Sequence, residues 1–327
     1  MEEQRDSYFT GVMVSTISTS ARIGARGSRL SLWQTNHVID LLKSAWPELV
    51  TEIEVISTTG DRQMDTPLPL LGGKGAFTEE LDNALLDRTI DFAVHSLKDL
   101  PVDFRSELMI GAIPARASVA DVVISRSGQQ LRELPNGAVI GTSSPRRSAQ
   151  LLLARPDLKL ISIRGNIDTR VRKALDPNGP YDAIVLARAG LERLGQLDAI
   201  TEELRLEVML PAPGQGALAI ECRSNDQQIS HLLDPINHAQ TLFATTAERA
   251  FLKGLGGGCS SPVAAYGWFE ADELHLQGRV IATDGSAQVQ VHDGTICASV
   301  EDAVQLGRTL AEGALSQGAG KLVGAPA

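Results

Sequence analysis

AVIGTSSPRRSAQLLLA, residues 138–154, decides the fold class. Ala138 to Gly141 is a short apolar run suited to a buried strand. Ser144 then offers a capping hydroxyl, Pro145 takes the first helical position, and Leu151, Leu152 and Leu153 continue as the apolar side of a helix. A strand passing directly into a capped helix is the repeating unit of an α/β domain. Working outward, Ile53–Ser57, Asp91–Ser96, Leu160–Arg164 and Asp182–Ala187 have the same strand character. Leu30–Trp46 reads as a helix behind Ser28, with apolar residues at 30, 38, 41, 42 and 45. The alternation runs from about position 20 to 220 and predicts a largely parallel sheet.

Near position 240 the pattern changes. A helix over 241–255 leads to Gly256-Gly257-Gly258-Cys259-Ser260-Ser261-Pro262, followed by strand-like runs around 263–269, 273–282 and 286–292. Asp284-Gly285 marks a hairpin turn, a final helix is expected over 301–316, and the Gly/Ala tail from Gln317 is expected to fray. The Pro- and Gly-bearing stretches 111–121 and 210–217 read as hinges, so the chain leaves one lobe, builds a second, and returns. The expected domains are a discontinuous α/β lobe of residues 20–113 and 214–236, a second α/β lobe of 114–213, and a C-terminal α+β domain of 237–327 with a three-stranded sheet. Residues 1–19, acidic and then Ser/Thr-rich, read as a disordered tail without the features of a secretory signal.

With 327 residues, 43% hydrophobic and 21% charged, the composition is that of a soluble multidomain protein. No stretch approaches the roughly 20 apolar residues of a membrane span, and a net charge of −10 disfavours nucleic acid and anionic membranes as partners. The three cysteines, Cys222, Cys259 and Cys297, are far apart, with no Cys-x-x-Cys pair and no clustered His. Neither a disulfide framework nor a metal site is expected, and a reducing cytoplasm is the natural compartment. The acids among the first residues argue against a transit peptide, although a plastid location stays open.

Chemistry concentrates in a few places. Three glycines give Cys259 room for a bulky attachment; the alternative is a glycine helix cap followed by an idle thiol. Arg146 and Arg147 occupy a first helical turn, where the macrodipole disfavours cations by about 0.3–1 kcal/mol each. A bound anion would reverse that penalty; the alternative is two solvated arginines. Arg164, Arg170, Arg188 and Arg193 follow strand ends, the side of an open sheet where ligands bind, which implies an Arg-lined cleft for a polyanion. DFAVHSLKDLP, residues 91–101, delivers Ser96, Lys98 and Asp99 to a strand end. That carboxylate could stabilise a developing cation, or be a turn residue in an ordinary ion pair, and His95 reads as a core residue. Gly72-Gly73-Lys74-Gly75 lacks the Walker spacing and reads as a mobile loop bringing one cation to the crevice, followed by Phe77 and a Thr78-capped helix.

Together IGARGSRLSLWQ, GGKGAFTEEL, AVHSLKDLP, GTSSPRRSAQL, RGNIDTR, LARAGLERL, LPAPGQGALAIECR and GGGCSSPV closely resemble the porphobilinogen deaminase (hydroxymethylbilane synthase) family. The resemblance implies two α/β lobes like those of periplasmic binding proteins plus the small C-terminal domain. It also implies a transferase of tetrapyrrole biosynthesis, for heme or chlorophyll precursors, that condenses four porphobilinogen molecules with loss of ammonia. The implied cofactor is a dipyrromethane primer in thioether linkage to Cys259, and the implied catalytic carboxylate is Asp99. By the same resemblance Arg26, Ser28, Ser96, Lys98, Thr142, Ser144, Arg146, Arg147, Arg164, Arg170, Gly190, Arg193 and Gln215 bind cofactor or substrate, while Lys74 and Phe77 belong to a mobile loop. A monomer is implied. A second lysine found in some members is replaced by Leu70, for which Arg29 and Arg188 are the candidate compensating cations. The competing reading is a two-lobed binding protein for a small anion, without catalysis; it accounts for the lobes and arginines but not for the Cys259 loop beside Lys98-Asp99.

Overall fold

The computed structural model describes residues 20–62, 78–103, 105–257 and 261–322. The expected tail 1–19, Lys74, Phe77 and Cys259 lie outside the described residues. The first pass of the chain forms β1 (Ser20–Ala25), α1 (Arg29–Ala45), β2 (Val50–Val55), α2 (Thr59–Arg62), α3 (Glu79–Leu86), β3 (Phe92–Ser96) and β4 (Leu108–Ala112). After a crossing it forms β5 (Asp121–Ser125), β6 (Val139–Gly141), α4 (Pro145–Ala154), β7 (Lys159–Ile161), α5 (Ile167–Leu175), β8 (Ala183–Ala187), α6 (Arg188–Arg193) and β9 (Glu202–Glu203). It returns as β10 (Leu218–Arg223) and α7 (Gln227–Leu233). It ends in α8 (Ala239–Gly254), β11 (Val263–Glu270), β12 (Glu273–Ile281), β13 (Gln288–Ile296) and α9 (Val300–Ser316).

Two α/β lobes are followed by an α+β domain with a three-stranded sheet. Their sheets run β2-β1-β3-β10-β4 and β7-β6-β8-β5-β9, the same pattern twice. Each is parallel except for one strand: β10 runs against β3 and β4, and β5 against β8 and β9. These are the strands entered immediately after a crossing between lobes. The sequence pattern places the start of β5 inside a hinge and predicts no strand at β10, whereas the structure forms both. Asp121 opens β5, and Glu221 and Arg223 interrupt β10, so neither segment has the clean apolar pattern of a buried strand. Ser28 and Ser144 cap α1 and α4 as their sequences predict, accepting from the backbone N–H of Ser31 and Arg147.

In the C-terminal domain α8 and α9 cover one face of the antiparallel sheet β11-β12-β13, with Phe251, Leu274, Leu276 and Val280 fully buried between them. The turn between β12 and β13 contains Gly285 at φ 74°, where a Cβ would stand 2.5 Å from the Leu153 backbone N; only glycine lets this turn abut α4 of the second lobe. The tail does not fray at Gln317. Gly318 adopts φ 94°, turns the chain after α9, and puts Ala319, at 0% exposure, into the domain core.

One buried cluster ties the three parts together. Glu248 of α8, at 0% exposure, accepts both terminal nitrogens of Arg116 at 2.6 and 3.0 Å, the Gly214 N–H at 2.6 Å and the Gly267 N–H at 2.8 Å. Arg116 lies in one crossing and Gly214 in the other, and Arg116 Nε donates to Gln215 O at 2.7 Å. Gly216, at φ 87°, packs its Cα side against the Ala117 and Ser118 carbonyls, where a Cβ would stand 2.6 Å from oxygen. A carboxylate with four donors has its burial cost offset, whereas losing one charged partner costs about 3–5 kcal/mol.

Candidate active site

Two cavities, of about 420 and 540 Å³, meet between the lobes. Lys98, Asp99, Arg147, Arg164 and Arg170 line both. The first adds Arg26, Ser28, Ser96, Gly190 and Arg193; the second adds Thr142, Ser144, Arg146, Gln215 and, from the C-terminal domain, Gly256, Gly257 and Ser261. Every residue expected at the site that lies among the described residues therefore faces one cavity or the other. The chain enters and leaves the Cys259 loop at the wall of the second.

β3 ends in a short 3-10 turn, Leu97–Asp99, that carries Lys98 and Asp99 out of the sheet. Leu97 anchors it at 0% exposure, while Asp99 is exposed to the cavities. Arg249 of α8, which sequence reasoning missed, holds the turn by donating to the carbonyls of Leu97 (3.4 Å), Leu100 (3.2 Å) and Pro101 (2.5 Å). Gln34 of α1 was missed too, and donates to Ser96 Oγ at 2.9 Å. Lys98 Nζ donates to Gln215 Oε1 at 3.3 Å. Burial pushes the Lys98 ammonium down to about 8; Asp99 opposes that, and Arg147 adds to it. His95 is a buried residue, 3.2 Å from Glu221, as the core reading expects.

Arg146 and Arg147 stand in the first turn of α4 at 4% and 8% exposure, which rules out two solvated arginines. The anion beside them is Asp121, at 0% exposure, which sequence reasoning also missed. It accepts from Arg146 Nη2 at 2.7 Å, from Arg147 Nε and Nη2 at 3.0 and 2.7 Å, and from Gln215 Nε2 at 3.1 Å. Burial pushes its carboxyl up, but the two guanidinium groups more than reverse this and hold it at about 2. An acid opening the apolar run Val122-Val123-Ile124 is the signal that could have found it. Across the cavity, burial lowers Arg170 and Arg193 to about 10, still cationic at neutral pH; Arg147 and Arg164 add to the effect at Arg170. Arg170 Nε donates to Gly165 O and Arg193 Nη2 to Gly216 O, each at 2.7 Å.

The two candidate compensating cations both have carboxylate partners. Arg29 pairs with Asp168 at 3.0 Å, and Arg188 pairs with Glu203 at 3.0 Å and Glu192 at 3.4 Å. Leu70 lies outside the described residues. Among the described residues no group of His, Cys, Asp or Glu could hold a metal, and no helix is long and apolar enough to cross a membrane.

Residues 21–231 match the family model described as porphobilinogen deaminase, dipyromethane cofactor binding domain, and residues 242–316 match the porphobilinogen deaminase C-terminal domain. The chain belongs to the porphobilinogen deaminase family. A porphobilinogen deaminase of Brevibacillus brevis is 48% identical over 92% of this chain and 96% of its own length, and one of Syntrophomonas wolfei is 45% identical over 91% and 95%. Among solved structures, the methionine-binding protein MetQ aligns at 15% identity and a TM-score of 0.40, covering 77% of this chain and 99% of its own, a likeness too distant to carry an argument. Family membership makes the chain a transferase of tetrapyrrole biosynthesis, a hydroxymethylbilane synthase with a dipyrromethane cofactor. The idle binding-protein reading is not favoured.

Proposed function

We propose that the joined cavities condense porphobilinogen units on a primer anchored at Cys259, with Asp99 as the catalytic carboxylate. The observation that carries this reading is the position of Asp99 and Lys98 on the wall common to both cavities, opposite Arg147, Arg164 and Arg170. Support for Cys259 comes from Gly257 and Ser261, which flank its loop and line the same cavity as Asp99.

A dipyrromethane brings several carboxylates, and the residues present fit it. Lys98, Arg146, Arg147, Arg164, Arg170 and Arg249 line the second cavity, with the Thr142 and Ser144 hydroxyls beside them. When bound, the group supplies the nucleophilic pyrrole carbon to which units are added. Arg26, Ser28, Ser96, Gly190 and Arg193 line the first cavity and hold substrate carboxylates and polar edges. When the C–N bond of the protonated aminomethyl group of porphobilinogen breaks, the electron pair leaves with ammonia and the positive charge passes to the pyrrole. Asp99 faces that cation: at about 4 Å and an effective dielectric near 20, a full negative charge stabilises it by roughly 4 kcal/mol. Lys74 and Phe77, which lie outside the described residues, are assigned to the same task by the family resemblance.

The domains are residues 20–113 with 214–236, 114–213 and 237–327, and the protein works as a cytoplasmic monomer with no nucleic-acid or membrane partner. Intact mass of the purified protein tests the reading. We expect one pyrrole adduct and a ladder of heavier species after limited porphobilinogen. Cys259→Ser should lack both, while Cys222→Ser and Cys297→Ser keep them, since a hydroxyl is a far weaker nucleophile than a thiol. An adduct on Cys259→Ser, or its loss in either control, overturns the anchor assignment.

A further inference from the structure

Arg29 is the first residue of α1 in the first lobe, and Asp168 lies in the first turn of α5 in the second. Arg29 Nη1 donates to Asp168 Oδ1 at 3.0 Å, closing an ion pair across the mouth of the first cavity. The macrodipole disfavours a cation where Arg29 stands and favours an anion where Asp168 stands. Gln196 also donates to Asp168, so the carboxylate keeps a partner if Arg29 leaves. Arg29 is 69% exposed and Asp168 31%, a loose pair open to competition. Asp99 and Asp168 are the only acids on the described wall of this cavity, which otherwise carries one lysine and six arginines.

We propose that Asp168 is a placeholder for a substrate carboxylate. It holds Arg29 across the mouth until the acetate or propionate of an incoming pyrrole takes the guanidinium, so the cavity is entered by exchange of one anion for another at Arg29. The inference rests on the reading of this cavity as the porphobilinogen site. Arg29 thereby joins the residues that capture substrate, and Asp168 sets how readily a carboxylate-bearing ligand is admitted.

Steady-state hydroxymethylbilane formation from porphobilinogen tests this with four proteins: wild type, Asp168→Asn, Arg29→Ala and the double variant. Asp168→Asn removes the competitor, so KM should fall about two- to fivefold, the range an exposed ion pair supports, with kcat within about twofold. Arg29→Ala should raise KM, and adding Asp168→Asn to it should change nothing further. A rise in KM for Asp168→Asn, or an equal effect with and without Arg29, overturns the exchange. Wild-type protein unable to form hydroxymethylbilane would instead sink the reading of the cavity on which the exchange rests.

Discussion

Asp121→Asn removes the one carboxylate that compensates two buried guanidinium groups while barely changing the shape of the side chain. The amide oxygen can still accept from one neighbour, but the other atom becomes a donor and faces N–H groups of Arg146 or Arg147 now 2.7 Å away. A buried charge left without its partner costs about 3–5 kcal/mol, a large part of the 5–15 kcal/mol that holds an ordinary domain together. The pH sign follows from the carboxyl being held at about 2, below its usual 3.8. Its contribution is fully present above the usual value and is lost as pH falls through about 2. Urea unfolding at pH 7 should therefore show the whole loss, read as a lower midpoint at an unchanged slope. Substrate KM should rise as well, because Arg147 is aimed into both cavities by this contact. A loss below about 1 kcal/mol at pH 7 would refute the claim that Asp121 is the fixed counter-ion of the site.

Two further outcomes follow from the catalytic turn. With the Lys98 ammonium lowered to about 8, carboxylate binding that needs its charge is complete below that pH and fades above it, so kcat/KM should decline as pH rises through about 8. Lys98→Arg should push that limb upward, and an unmoved limb would assign it to another group. Asp99→Asn should keep the fold and the adduct but lower kcat by about a thousandfold, the equivalent of roughly 4 kcal/mol. Circular dichroism and single-turnover rates check this, and turnover within about threefold of wild type would remove Asp99 from the mechanism.

Local chemistry made much of this fold and site legible in the sequence. The caps of α1 and α4, the Asp284-Gly285 hairpin and the turn after β3 each depend on residues a few positions apart. What escaped depends on pairs distant in sequence. Asp121 meets Arg146 and Arg147 25 and 26 positions on, and Arg116 meets Glu248 132 positions on. The reversal of β5 and β10 likewise follows from where the chain re-enters each sheet. Asp168 meets Arg29, and Glu203 meets Arg188, only in the folded chain, whereas the Glu192 partner of Arg188 stands four positions on in the same helix and was legible. The hinges were legible as Pro- and Gly-bearing stretches, but not that both would be fastened to the same side chain.

That fastening governs which motions the lobes can make. Two bodies joined by a single peptide strand could swivel and drift in any direction, whereas here both connecting strands are bonded to Glu248 and to each other. Neither crossing can shift without disturbing the same buried carboxylate, and that carboxylate belongs to α8, so a strain put on one crossing is felt by the other and by the C-terminal domain.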